Sequence, residues 1–420
     1  MQLTIHRGSK EIGGTCIEVA TASTKVLLDI GSPLNPDSAH LDVGGIKADA
    51  VVISHPHQDH FGLIEQIPKK TPVYIGQLAK ELLDTTRIFL DKPLFDNRFE
   101  FFKRGEPFDI GDIRLTPYLV DHSAVDAYGF LIEADGKRLF YSGDFRGHGR
   151  KQKLFHAIID NPPQNIDVLL MEGTMLEREN NEFPSEDAVQ DKISEIIHDQ
   201  KNASFIISSS QNIDRVVSAY NACKEKGNDK ILVLDFYTAY VLSKVESVSP
   251  GIQAMKWSNI RVLTKGHSAG NQYAKLSKEY YKYREFLKHA FENSITIEEA
   301  YKDPSRFLFF SKISSGNFIE SFLGSEPVNV IYSQWLGDLK KTDKERSGAP
   351  RMKSYQDGSV NGIVFTYAHT SGHAVVEDLQ KFAKALNPKT LIPIHTEYGY
   401  KYREHFSNVV EIQDNCRVNV

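Results

Sequence analysis

A chain of 420 residues with 40% hydrophobic and 25% charged residues has ordinary globular values, which excludes wholesale disorder, and it is too long for one small core. Its net charge of −5 excludes a global positive field, so a polyanionic substrate would need local basic segments or bound metal. Cys16, Cys223 and Cys416 are odd in number and far apart, which leaves no readable disulfide framework or C-x-x-C zinc site. No secretion-type apolar segment follows Met1 and no stretch approaches a membrane span, so a soluble cytoplasmic protein of two to three domains is expected.

The first 170 residues or so alternate short apolar runs with turns. Strands are expected at Leu3–His6, Thr15–Val19, Lys25–Leu28, Ala50–Ile53, Val73–Ile75, Ile113–Tyr118, Tyr128–Ile132, Arg138–Tyr141 and Val168–Met171, punctuated by Gly and Asp. That density argues for a mainly antiparallel sandwich with flanking helices. From about Ser185 the runs Phe205–Ile207, Ile231–Leu234, Arg261–Leu263, Phe307–Phe310 and Val328–Ile331 alternate with longer helical stretches, the pattern of a parallel sheet. A helix over Glu186–His198 starts from Ser185 as N-cap. Gln334–Asp357 is polar and charged and reads as an exposed connector. The last stretch returns to strand (Gly362–Thr366), helix (Val375 to Leu386, ended by Asn387-Pro388) and strand (Leu391–Ile394). The whole reads as one domain split in sequence by another: residues 1–176 and 358–420 around an insert at 177–357.

Chemistry concentrates in Ser54-His-Pro-His-Gln-Asp-His60, on the loop where the Ala50–Ile53 strand ends. Three imidazoles and one carboxylate within six residues suit borderline-soft divalent ions. So crowded a segment cannot wrap all four side chains round one ion, and alternate members should face two adjacent ions. Asp29, His122, Asp144, Glu172 and His395 also stand at strand ends, where a sheet edge can gather them. A two-metal site needs about this inventory, with one carboxylate able to bridge.

With these motifs in order, the chain resembles metallo-β-lactamase-fold hydrolases of the β-CASP branch, most like ribonuclease J and the cleavage-and-polyadenylation endonuclease. Asp29 matches the first motif, His55, His57, Asp59 and His60 the second, His122 the third, and Asp144 in Ser-Gly-Asp-Phe-Arg the fourth. Glu172 matches the acidic residue before the insert, and His373 and His395, 22 positions apart, the two histidines after it. The resemblance implies an αββα sandwich with an inserted β-CASP domain on a parallel sheet. It implies two zinc ions, with Mn²⁺ or another divalent ion as alternatives: His55, His57 and His122 on one, Asp59, His60 and His395 on the other. Asp144 would bridge them, and Asp29 would orient the ligand loop from behind.

The implied activity is a zinc-dependent ribonuclease on single-stranded RNA, exo- or endonucleolytic, attacking through a metal-bridging hydroxide. Asp59, His373 and Glu172 are the catalytic candidates, His373 as general acid oriented by Glu172 or as a ground-state phosphate binder. By the same resemblance His369, Thr370, Ser371, Gly372 and His373 grip substrate phosphate. Gln211, Asn212 and Arg215 match a substrate-contacting turn. Arg146, His148, Arg150, Lys151 and Lys153 read either as a solvated loop or as phosphate contacts, whereas the Lys340–Lys353 basic segment reads as solvated.

A DNA nuclease, a small-molecule ester or lactone hydrolase and a catalytically dead RNA-binding subunit are the competing classes. An insert of this length suits a polymer better than a small ester, and every ligand position is intact. The partners expected are single-stranded RNA and no membrane, with the chain a monomer or homodimer. Three departures from the family pattern point to a divergent member: Thr396-Glu397 in place of Gly-Glu, Gln211-Asn212 in the substrate turn, and only 25 residues after His395.

Overall fold

The computed structural model describes residues 1–35, 37–178, 182–225, 227–246, 248–249, 252, 259–266 and 269–420. The chain forms two compact units, one of residues 1–84, 94–180 and 371–420, the other of 85–93 and 181–370.

In the first unit two sheets lie back to back. One runs in the order Arg417–Asn419, Gln2–Arg7, Cys16–Ala20, Lys25–Leu28, Ala50–Val52, Val73–Gly76, Phe99–Phe102, and the other Thr390–Ile394, Val168–Glu172, Lys137–Tyr141, Tyr128–Ala134, Ile113–Leu119, Phe108–Ile110. Alternation along each strand sends one set of side chains inward, so Leu3, Ile17, Val26 and Val52 of the first sheet share a core with Leu115, Phe130, Leu139 and Leu170 of the second. The opposite faces are covered in turn. Leu27, Val51 and Ile75 pack with Ala79 and Leu83, on the helix that begins at Gln77. Phe140, Leu169 and Leu391 pack with Phe155 on Gln152–Asp160 and with Leu379 and Phe382 on Val376–Leu386. Helix, sheet, sheet, helix is the αββα arrangement.

The sheets are mixed rather than mainly antiparallel. From Lys25–Leu28 outward every pair in the first sheet is parallel, as are the two pairs joining Lys137–Tyr141, Val168–Glu172 and Thr390–Ile394. Short turns at the start of the chain were misleading because the later strands return through helices. Phe99–Phe102, Phe108–Ile110 and Arg417–Asn419 add edge strands, two of them half-exposed and interleaved with charges that mask the alternation.

The second unit carries a seven-stranded sheet, all parallel, in the order Ser294–Thr296, Ile260–Lys265, Ile231–Leu234, Phe307–Ser311, Ser204–Ile207, Val328–Tyr332, Ile363–Tyr367. Its central strands are continuously apolar because both faces are buried. Glu186–His198 is a helix, with the Ser185 hydroxyl accepting from Ala188 N. Two expectations fail here. Ile363–Tyr367, expected in the split domain, is the edge strand of this sheet, paired with Val328–Tyr332. The stretch 334–357 is no open connector: it holds a short helix, Ala349–Gln356, whose Ala349, Met352 and Tyr355 are buried beside Leu339. Only a three-residue period among many charges marks it, too few repeats to stand out.

Leu170 is fully buried between the two sheets. Leu170→Ala should lower the stability of the first unit by about 3 kcal/mol, read as a shift of its urea unfolding midpoint.

Candidate metal centre

The ligand loop is fixed from beneath. The strand Ala50–Val52 ends in buried Ile53 and Ser54, and Gln58–Phe61 then makes a single helical turn carrying Asp59 and His60. The segment after Lys25–Leu28 lies against this turn, Ile30 N donating to His60 O (2.8 Å) and Ser32 N to Gln58 O (3.0 Å), and Thr15 N, ahead of Cys16–Ala20, donates to Asp59 O (3.2 Å). Gly31 allows the approach, since a Cβ there would stand 1.7 Å from Asp59 O. Asp29 is held in the left-handed region (φ +58°), which aims its carboxylate under the loop. It accepts from Ser54 N (2.7 Å), Ser54 Oγ (2.7 Å), His60 Nδ1 (2.7 Å) and Tyr141 Oη.

The imidazoles of His122, His55 and His395 are oriented the same way, with the outer nitrogen tied and Nε2 turned inward. His122 Nδ1 donates to Gly372 O (2.7 Å), His55 Nδ1 lies 3.0 Å from Ser54 Oγ, and His395 Nδ1 lies 2.9 Å from Thr15 Oγ1. His395 also has a positive φ (+50°), at the end of Thr390–Ile394. Tying Nδ1 in this manner leaves Nε2 as a lone-pair donor. His57 is turned round, with Nδ1 facing His122 Nε2 at 3.1 Å.

These atoms gather in overlapping groups: His55, His57 and His122; Asp59, His60 and His395; and Asp144 with His55 and His60 or with His122 and His373. Asp144 follows Gly143, whose φ of +55° makes the turn out of Lys137–Tyr141. Its Oδ2 lies 3.1 Å from His60 Nε2, 3.7 Å from His373 Nδ1 and 3.8 Å from both His55 Nε2 and His395 Nε2. Yet the buried Nε2 atoms of His55, His60 and His395 have no hydrogen-bond partner. His60 approaches Asp144 without hydrogen-bonding alignment. A buried unpartnered nitrogen costs about 1–3 kcal/mol, and three in one place are explained by an electron-pair acceptor among them. The donor set therefore suits divalent metal ions.

Electrostatics agrees. Burial pushes the His55, His122 and His395 imidazoles below their usual range, and His57 down to about 4, so all four stay neutral, the form that ligates. Burial works against the charge on Asp144 too, but His395, His60 and His373 hold its carboxyl well below the usual range. His60 is the exception: burial opposes its charge, but Asp144, Asp29 and Asp59 outweigh that and raise it.

Glu172 and His373 form a neighbouring pair. Fully buried Glu172 accepts from Phe145 N, Ala374 N and Thr174 N (3.1 to 3.3 Å), and His373 Nδ1 stands 3.3 Å away. Burial disfavours the His373 cation, but Glu172 and Asp144 outweigh it and raise its pKa. Ser371 and Gly372 adjoin this pair. The Gly372 carbonyl orients His122, and a Cβ on Gly372 would meet Ser123 Oγ at 2.5 Å.

Several other sequence candidates belong to the second unit. Arg215 is fully buried, paired with Glu186 at 3.1 and 3.2 Å and donating to Ser333 O, so its guanidinium braces the second unit and is not available to substrate. Asn212 caps the helix Ile213–Ala222 through Arg215 N, and Gln211 Nε2 donates to Tyr237 Oη (2.8 Å) and Thr86 Oγ1 (3.1 Å). His369 and buried Thr370 are in the second unit, His369 Nδ1 lying 3.2 Å from Ser333 O. In the basic stretch after Asp144, Lys153 is exposed, whereas Arg146 and Lys151 are engaged within the unit. Arg146 is fully buried against Asp121 and donates to Ser371 O (2.8 Å), while Lys151 Nζ donates to His122 O (3.0 Å). Asp121, Arg146, Ser54, Tyr141 and Thr15 are supports that the motifs alone did not reveal, although Asp121 and Ser54 each adjoin a ligand candidate. The unusual Thr396 is buried, and its hydroxyl accepts from Tyr398 N (3.1 Å) in the turn after His395.

Comparison with known proteins meets this geometry at both ends of the chain. Residues 32–201 match a family described as a beta-lactamase superfamily domain, and residues 357–414 one described as a Zn-dependent metallo-hydrolase RNA specificity domain. Ribonuclease J of Helicobacter pylori (strain B128) is 20% identical over 96% of the chain. The chain is thus similar to a beta-lactamase superfamily domain over residues 32–201 and to ribonuclease J over most of its length. The chain spans 57% of the length of that ribonuclease J. It covers 70% of the Mycoplasma pneumoniae ribonuclease J, at 22% identity over 98% of its own length. An RNase J-like protein of Methanocaldococcus jannaschii is 31% identical over 41% of the chain and 42% of the relative. A crystal structure of a protein of unknown function from Enterococcus faecalis V583 shares the fold, with a TM-score of 0.74, 20% identity and 99% coverage of both chains. No helix among the described residues is long and apolar enough to cross a membrane.

Asp29 touches the ligand loop without joining the inward-facing donors, so Asp29→Asn should keep the fold and weaken metal binding about 10–100-fold. Competition with a chromogenic chelator measures this.

Proposed function

We propose that the chain is a zinc-dependent phosphodiesterase that cleaves single-stranded RNA in the cytoplasm. The observation that carries this is the convergence of two donor groups on one carboxylate, Asp144, with unpartnered imidazole nitrogens facing inward. In this reading His55, His57 and His122 hold one zinc, Asp59, His60 and His395 the other, and Asp144 reaches both. Residues 177–357 are the insert, and 1–176 with 358–420 the catalytic domain, the strand Ile363–Tyr367 apart. The match of residues 357–414 to an RNA specificity domain, and the names of the ribonuclease J relatives, support RNA over DNA or a small ester.

The bound ions would lower the pKa of a shared water toward roughly 7 and offset charge developing on a phosphodiester oxygen. The protein's own contribution is positional. Asp29, Ser54, Thr15 and the Gly372 carbonyl fix each imidazole so that little reorganises as charge develops. His373 holds a proton at the edge of the donor cluster, kept there by Glu172, and can deliver it to a departing alkoxide. Glu172 is itself pinned by three backbone N–H groups, which keeps it aimed at His373.

Metal-loaded protein incubated with RNA and DNA of one single-stranded sequence should cut only the RNA. Equal or faster DNA cleavage, or intact RNA beside cleaved small esters, would reassign the substrate. With 5′-end-labelled RNA, mononucleotides released only from 5′-phosphorylated ends mean exonuclease action, and internal products mean endonuclease action. His373→Gln should retain its metal and lose about 10²–10⁴-fold in kcat if the residue is the general acid. A rise in KM with kcat retained would make it a phosphate binder instead.

A further inference from the structure

The second unit contains a cavity of about 450 Å³, a volume suited to a small organic molecule. Its position follows from topology. It opens at the carboxyl ends of two neighbouring parallel strands, Ile231–Leu234 and Phe307–Ser311, and is lined by the residues that follow them, Asp235 and Lys312. From the first strand the chain continues to Ile260–Lys265 on one side. From the second it passes beyond Ser204–Ile207 to Val328–Tyr332 on the other. Where winding reverses between adjacent strands, the two connections part and leave a crevice, the usual ligand site of an open α/β sheet.

The chemistry of the lining narrows the ligand. One wall is aromatic: the Phe89 ring meets Tyr237 edge-on with centroids 5.1 Å apart. Gln211 and Thr86 hold the Tyr237 hydroxyl, which fixes that ring. The other wall is ionic. Half-buried Asp235 accepts from Thr238 N (2.7 Å) and Gln272 Nε2 (2.9 Å), and Lys312 Nζ lies 3.1 Å away. The same ammonium stands 5.0 Å from the centre of the Tyr237 ring and is 44% exposed, so it faces both the carboxylate and the aromatic wall. Lys275 also lines the cavity and shares Asp91 with Lys278 (3.0 and 3.1 Å). Among the lining residues two ammonium groups, Lys312 and Lys275, stand against one carboxylate, Asp235, in a protein whose net charge is −5.

We propose that this cavity binds one nucleotide unit, a base with its 5′-phosphate. The base lies on the Phe89–Tyr237 wall, where an aromatic face accepts any base. The phosphate lies toward Lys312 and the exposed Ser314 hydroxyl at the mouth. The unit is either a free mononucleotide or one residue of a strand, and the two share this chemistry. Only the source of the nucleotide rests on the ribonuclease reading; the site does not.

The test is calorimetric titration of the full chain with 5′-AMP, adenosine, inorganic phosphate and a 5′-phosphorylated RNA trinucleotide, before and after metal chelation. One 5′-AMP should bind per chain and persist after chelation, with adenosine and phosphate each at least tenfold weaker. Lys312→Gln and Ser314→Trp should each weaken binding at least tenfold with an unchanged thermal midpoint. Ser314 is exposed, so its replacement blocks the mouth without entering the core and decides the matter if Lys312→Gln is unstable. Binding of the trinucleotide alone, sensitive to both substitutions, assigns the cavity to a strand. Absence of saturable binding by every probe overturns the proposal, as does binding that both substitutions leave intact, whether or not chelation removes it. The readout needs no hydrolysis, so an occupied cavity in a protein that cuts no RNA would count against the nuclease reading alone.

Discussion

One oxygen of Asp144 stands within 3.8 Å of nitrogens on four imidazoles, in a pocket from which water is largely excluded. Such an arrangement is unfavourable by itself. Burial penalises the carboxylate, and the imidazoles facing it present lone pairs to one another. The rest of the first unit holds this arrangement together. Strands end at Leu28, Tyr141, Glu172 and Ile394 with a polar residue at or directly after the terminus, and Val52 is followed by Ile53 and then Ser54. Two of the deliveries, at Asp29 and His395, require left-handed backbone on a residue with a side chain. Backbone of this kind persists only where surrounding hydrogen bonds over-determine it. Here they do: Asp29 accepts from four groups, and His395 is anchored through both its amide and its ring.

The supports form a second tier. The ring nitrogens turned away from the donor cluster are taken by Asp29, Ser54, Thr15 and the Gly372 carbonyl, so the inward nitrogens have one role left. Arg146 does similar work with backbone. By joining Asp121 and the Ser371 carbonyl it ties the loop bearing His122 to the loop bearing His373, at the level of Asp144. A buried arginine with two anchors is a costly element that stabilises only when both partners remain. Its position two residues after Asp144 is where small shifts would be felt most.

Much of this was legible in the sequence. The histidine-aspartate loop stood out because its spacing has no ordinary structural purpose, and strand ends told where its partners must come from. The parallel sheet of the second unit was readable because doubly buried strands are short, apolar and unbroken. What escaped was of another kind. Parallel pairing in the first unit depends on which strands are neighbours, which the local pattern does not encode. The helix at Ala349–Gln356 hides three buried positions among lysines and arginines. Arg215, Asn212 and Gln211 resembled substrate contacts, yet a side chain's type is the same whether it faces a ligand or another residue. Glu186, Ser333 and Tyr237, distant in number, reveal that Arg215 and Gln211 are engaged inside the unit, while Asn212 caps its own helix.

The donors span the chain from His55 to His395, with the whole second unit encoded between them. The last imidazole is therefore made only after the second unit has been synthesised. Until then a nascent chain can carry His55, His57 and His122 together but lacks the third member of the Asp59–His60 group. The order of residues here withholds the completed donor cluster until the second unit has been made.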